Sequence, residues 1–175
     1  MRKFSSKKIV LLIAVALILT ISASAQIKNA GELNVWTKSE LARSSSESGE
    51  LIKARAAKNK TYDRVVFEFK DKIPGYKIEF SKPPFYYGES DNAVKVAGKS
   101  FVRVTFSSTN AHDTETGKNI LSYKKGKLGL PVVQETTVIY DFEAMVEFVI
   151  GLKQSKDFRV TQLQNPARII IDFKH

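Results

Sequence analysis

From Gly49 onward, apolar residues recur at every second position, and no other property of the chain restricts its fold as much. In Tyr62-Asp63-Arg64-Val65-Val66-Phe67-Glu68-Phe69-Lys70, the side chains of Val65, Phe67 and Phe69 share one face, and Arg64, Glu68 and Lys70 take the other. That is the pattern of a strand with one wet and one buried side. Tyr76-Lys77-Ile78-Glu79-Phe80 alternates in the same way, as do Val102, Val104 and Phe106, then Val146, Phe148, Ile150 and Leu152, and finally Ile169, Ile171 and Phe173. Nine short strands are expected, at 51–57, 62–70, 76–80, 93–97, 101–107, 132–141, 145–153, 158–161 and 168–174. Turn signals such as Pro74-Gly75 and Asn165-Pro166 separate them, and no stretch carries a helical period. The expected fold is all-β, an antiparallel sandwich or open barrel.

The first 25 residues read differently. Arg2, Lys3, Lys7 and Lys8 precede an apolar run of 13 residues, Ile9 to Ile21, and then Ser22-Ala23-Ser24-Ala25. A charged start, an apolar middle and Ala-x-Ala make a secretory signal, with cleavage expected after Ala25. The run is too short to span a bilayer, which takes roughly 20 residues. The remaining 150 residues are therefore expected in the periplasm or outside the cell, with no membrane span. Four of the 28 basic residues and none of the 18 acids leave with the signal, so the formal charge falls from +10 to +6. A basic exported domain suits polyanions such as cell-wall polymers. Residues 26–50 are polar and small and read as a flexible lead, in which Trp36, the single tryptophan, is expected to dock on the domain. The domain proper is expected at 51–175.

Counting residues removes most chemistry. With no Cys there are no disulfides, no thiol catalysis and no lipid-attachment cysteine. Two histidines, His112 and His175, do not make a usual zinc site, and no phosphate loop or hydrolase motif is present, so neither metal nor cofactor is expected. His112 is read as a surface-loop residue, because neighbouring Asp113 points away from it on an extended chain. Asp141 and Glu143, two apart, leave a weak reading as a glycan-cleaving pair. The stronger constellation is aromatic and basic. Lys82-Pro83-Pro84-Phe85-Tyr86-Tyr87 is a proline-stiffened loop whose Phe85, Tyr86 and Tyr87 offer flat faces to a sugar ring, and Lys124, Lys125 and Lys127 would meet its carboxylates. The competing reading makes Phe85 a core plug and the lysines a solvated turn. Nucleic acid is not an expected partner, since the basic residues are scattered among acids.

Several segments together resemble the AMIN-like domain, a family of exported bacterial β domains. They are Tyr62-Asp63-Arg64-Val65-Val66-Phe67-Glu68-Phe69, Pro74-Gly75-Tyr76-Lys77-Ile78-Glu79-Phe80, Ala111-His112-Asp113, Asp141 to Val146 with Gly151-Leu152, and Phe158 through Asn165-Pro166-Ala167-Arg168-Ile169-Ile170-Ile171-Asp172. The resemblance implies a β-sandwich without catalysis and a role at the cell envelope. Together with export, the charge of +6 and the aromatic loop, it leads to an anionic glycan such as peptidoglycan as the expected ligand, and the alternative is an envelope protein that pairs with an edge strand. The polar residues of these motifs suggest structural ion pairs, with Asp63 and Asp172 as partners for Arg64 and Arg168 and register as their purpose.

Overall fold

The structure, a computed structural model, describes residues 34–175. The expected signal, 1–25, and the start of the expected lead, 26–33, lie outside the described residues. The strands are β1 (Leu41–Arg43), β2 (Gly49–Lys58), β3 (Tyr62–Phe69), β4 (Gly75–Ser81), β5 (Phe85–Tyr86), β6 (Ala93–Val94), β7 (Ser100–Ser107), β8 (Thr109–Asn110), β9 (Ser122–Tyr123), β10 (Val133–Phe142), β11 (Met145–Leu152), β12 (Phe158–Gln164) and β13 (Ala167–Lys174). One sheet runs β1-β4-β7-β11-β10 and the other β12-β13-β3-β2-β8, with β9 also pairing β2. The long pairings are antiparallel, whereas β8 and β9 join β2 in parallel. The fold is an all-β sandwich, with no closed barrel among the described residues. Among the described residues, no helix is long and apolar enough to cross a membrane.

The two sheets meet through the alternating apolar faces. Phe67 of β3 sits at the centre, its ring 5.0 Å from that of Phe106 on β7 and 4.9 Å from that of Phe148 on β11, both edge to face. Such contacts add about 0.5–1.5 kcal/mol each to the burial of the rings. Eight strands of seven or more residues correspond to eight of the nine expected. The ninth, 93–97, is reduced to the two-residue β6, which pairs β5 outside both sheets. The turn between β10 and β11 holds Glu143 and Ala144 at φ 49° and 54°. Two left-handed residues in a two-residue hairpin match the strand twist, although neither is the Gly or Asn that usually marks such a turn.

The lead is corrected by the structure from Asn34 on. Leu41 is fully buried, β1 forms an edge of the five-stranded sheet, and Thr37 exchanges backbone hydrogen bonds of 2.8 Å with Phe158 at the edge of β12. Residues 82–99 also depart from a simple strand path. They fold over the outer face of the five-stranded sheet, where Phe85, Ile139 and Val149 are buried with Val94, Val96 and Phe101 packed against them. The backbone comes so close there that a Cβ on Gly151 would lie 1.9 Å from the Ala97 carbonyl oxygen. Glycine is required at that position by the approach itself.

Candidate functional site

The aromatic loop is built around a division of labour between adjacent residues. Phe85 is 2% exposed and stacks edge to face on Phe101 at 5.2 Å, so it is a plug and not a ligand contact. Period two then turns Tyr86 outward, and the chain leaves β5 at Tyr87, leaving the rings 43% and 58% exposed. Gly88, at φ 57°, makes the turn and donates its N–H to the Ile139 carbonyl at 2.8 Å. The loop is thereby fixed to β10 just past its two exposed rings.

Tyr123 of β9, which lies outside the aromatic and basic constellation expected from the sequence, immediately precedes the lysine turn. Its ring leans on Phe148 at 5.9 Å, and the Lys125 Nζ lies 6.0 Å from the ring centre. Burial pushes the Tyr123 phenol up, a hydrogen bond with the Val138 backbone opposes this, and the nearby Tyr87 phenol and Glu135 push it further up. Lys125 thus sits beside Tyr123, and Lys124 and Lys127 are exposed on the same turn around Gly126. The signal in the sequence was the position of Tyr123 immediately before the lysine run.

The expected ion pairs are partly rearranged. Arg64 and Asp172 stand directly opposite on β3 and β13, and the guanidinium grips the carboxylate with Nε–Oδ1 2.7 Å and Nη2–Oδ2 3.0 Å. Arg159 of β12 reaches the same carboxylate from the other side, Nε–Oδ2 3.0 Å. Asp172 is 1% exposed, so both guanidiniums are needed to offset its burial. The hydrogen bond to Asp172 raises the Arg64 pKa against the opposing effect of burial. Trp36 and Tyr62 interleave with the two arginines. The Arg159 guanidinium is 4.7 Å from the Trp36 ring centre and 5.2 Å from that of Tyr62, and Arg64 is 5.1 Å from Tyr62.

Arg168 pairs with neither expected aspartate. Its Nε donates to Glu68 at 2.8 Å, an acceptor it shares with Arg55 Nη1 at 3.0 Å. The reason is register: Glu68 lies directly across from Arg168, four residues along β3 from Arg64. Asp63 is corrected too. It points inward, fully buried, and accepts from the backbone N–H groups of Val132 and Val133 at 2.6 and 2.9 Å and from His175 Nε2 at 3.0 Å. It therefore ties the entry of β10 and the end of the chain to the start of β3.

His112 finds its carboxylate at a distance in sequence, with Nδ1 3.0 Å from Asp141 Oδ1, which also accepts the Ala111 N–H at 3.1 Å. Asp113 instead accepts from Thr116 within its own turn. Glu143 sits at the exposed tip of the β10–β11 hairpin.

Neither a curated protein nor a solved structure matches the chain. The AMIN-like domain family matches residues 49–175, which spans β2 to the last residue and includes every segment that carries the resemblance. The chain belongs to the AMIN-like domain family.

Proposed function

We propose that this domain is a non-catalytic binding module whose ligand is an anionic glycan such as peptidoglycan, held on the surface formed by Tyr86, Tyr87, Tyr123 and the lysine turn. AMIN-like domains are typically exported modules of the cell envelope and are generally non-catalytic. The observation that carries the reading is the pairing of a buried Phe85 with two exposed tyrosines. The plug holds the rings out in a fixed pose, so little conformational entropy is lost when a sugar stacks on them. Lys125, beside Tyr123, then supplies the charge for a carboxylate.

The test is sedimentation of the purified protein with isolated cell walls over a series of salt concentrations. Wild type is expected to pellet at low salt, and the double change Tyr86→Ala, Tyr87→Ala to weaken binding by about 2 kcal/mol or more, as for central aromatic anchors. Both rings are exposed, so the melting temperature should stay within a degree or two. Failure of the wild type to pellet at low salt refutes the glycan reading.

A second reading is a protein partner that adds a strand. β12 borders the six-stranded sheet, and among the described residues its pairing with Thr37 ends at Phe158. The backbone beyond, at Val160 and Gln162, is a template for an extended segment. Cross-linking in cells separates the two readings: a single stoichiometric protein partner, with no wall binding, favours the strand.

A further inference from the structure

The outer face of the six-stranded sheet carries a second site. Arg55, Arg64, Arg168 and Asn59 rim a trough of about 270 Å³, with Val66 and Ile170 as its floor and the more exposed Leu163 and Ala57 as its sides. Val66 and Ile170 are only 5% and 6% exposed although they face away from the core. The aliphatic stems of the arginines cover them and leave the guanidiniums at the surface.

Charge on this face is out of balance. Four guanidiniums, those of Arg55, Arg64, Arg159 and Arg168, share the two carboxylates of Glu68 and Asp172. Hydrogen bonding is out of balance in the same way. Arg168 spends only Nε on Glu68, Arg55 only Nη1, and Arg64 its Nε and Nη2. Both Nη atoms of Arg168, Nη1 of Arg64, and Nε and Nη2 of Arg55 have no protein acceptor among the described residues. Glu68 and Asp172 meanwhile fix the planes of the guanidiniums, so the unspent donors are already oriented for a planar oxyanion.

The floor sets the rest of the ligand. It is aliphatic and holds no aromatic ring, so it does not suit a stacked sugar. It does suit a methyl or a short branched alkyl group. The trough also falls short of the ~300–1,000 Å³ typical of pockets that enclose a whole small molecule, and so fits the end of a chain.

We propose that this trough binds the free carboxylate end of a short peptide whose last residue is small and aliphatic. The carboxylate bridges Arg168 and its neighbours on the rim, and the terminal side chain rests on Val66, Ile170 and Leu163. This site is separate from the tyrosine surface and does not depend on the glycan reading.

The experiment is an NMR titration of the purified protein with N-acetyl-alanyl-alanine as the free acid, in its L,L and D,D forms, alongside the C-terminal amide. The free acid should give saturable shifts of the Val66, Leu163 and Ile170 methyls, and the amide none. Preference for the D,D form points to wall-peptide ends as the source, and preference for the L,L form to protein termini. Arg55→Gln leaves Arg168 on Glu68 and so keeps the fold, yet should weaken binding about tenfold, the loss of one charge-assisted hydrogen bond. The proposal is overturned if the free acid moves none of these methyls, if the amide binds as tightly, or if Arg55→Gln binds unchanged with a native spectrum. Wall sedimentation by the wild type is read separately, so a failure here leaves the tyrosine surface untouched.

Discussion

On the outer face of the six-stranded sheet, Val66 and Ile170 are buried beneath arginine stems, whereas on the outer face of the five-stranded sheet Ile139 and Val149 are buried beneath residues 82–99. Both faces carry apolar residues on the side away from the core, and both must shield them from water and from other sheets. Long charged side chains do so in one case and a second layer of chain in the other. The consequences differ. A cover of side chains leaves hydrogen-bond donors over an apolar floor. A cover of main chain leaves the tip of the covering loop, where Tyr86 and Tyr87 stand out.

The largest test of this contrast is Phe85→Ala. It removes the ring that holds the covering layer, and deletion of a buried Phe costs about 3–5 kcal/mol. The cost should fall locally: hydrogen exchange should accelerate at residues 85–98 while β13 stays protected. Uniform loss of protection across both sheets would show that the layer is part of the single cooperative core.

Asp172→Asn is next. It leaves two guanidiniums without their shared carboxylate on the arginine face, and a cost of about 2–3 kcal/mol is expected in chemical denaturation, below that of a fully enclosed pair because Arg64 and Arg159 reach solvent. The tyrosine loop should be unaffected, which wall binding of the variant checks.

Gly151→Ala presses on the same covering layer from beneath, through the Ala97 carbonyl. A cost of about 1–3 kcal/mol follows from overpacking, with chemical-shift changes concentrated at residues 96–99. An unchanged melting temperature would mean that the layer lifts freely from the sheet.

The smallest effect concerns pH. Burial alone would raise the Glu68 carboxyl, but hydrogen bonds from Arg55 and Arg168 outweigh it and hold the group below its ordinary 4.5. A depressed folded-state pKa gives stability that is present above 4.5 and lost as pH falls through the folded value. Glu68→Gln should therefore flatten the stability decline below about pH 4.5 by roughly 0.5 kcal/mol, given the exposure of the pair. Denaturation curves at pH 6 and pH 3.5 measure it.

Much of the fold was legible in the chain because a sheet's faces follow from a period of two, which is local. Val65, Phe67 and Phe69, or Ile169, Ile171 and Phe173, announce a buried side wherever their strand ends up. The two prolines before Phe85 likewise excluded a central strand without reference to any neighbour. The tyrosine and lysine segments could be named for their residue types alone, but not the packing of Tyr123 on Phe148, which depends on how β9 and β11 meet. The motif residues alone pair Arg168 with an aspartate, whereas antiparallel register places Glu68 opposite it once Arg64 faces Asp172.

What the sequence determined by itself is the strand content, the faces, the turn positions and the absence of cysteine chemistry, all properties of residues and their near neighbours. Only the tertiary structure decided that Asp63 caps Val132 and Val133 from within, that Phe85 is a plug, that Leu41 belongs to the core, and that three arginines converge over Val66 and Ile170. Each of these joins residues from separate strands or loops, and such contacts are set by register and sheet stacking, which no local pattern encodes.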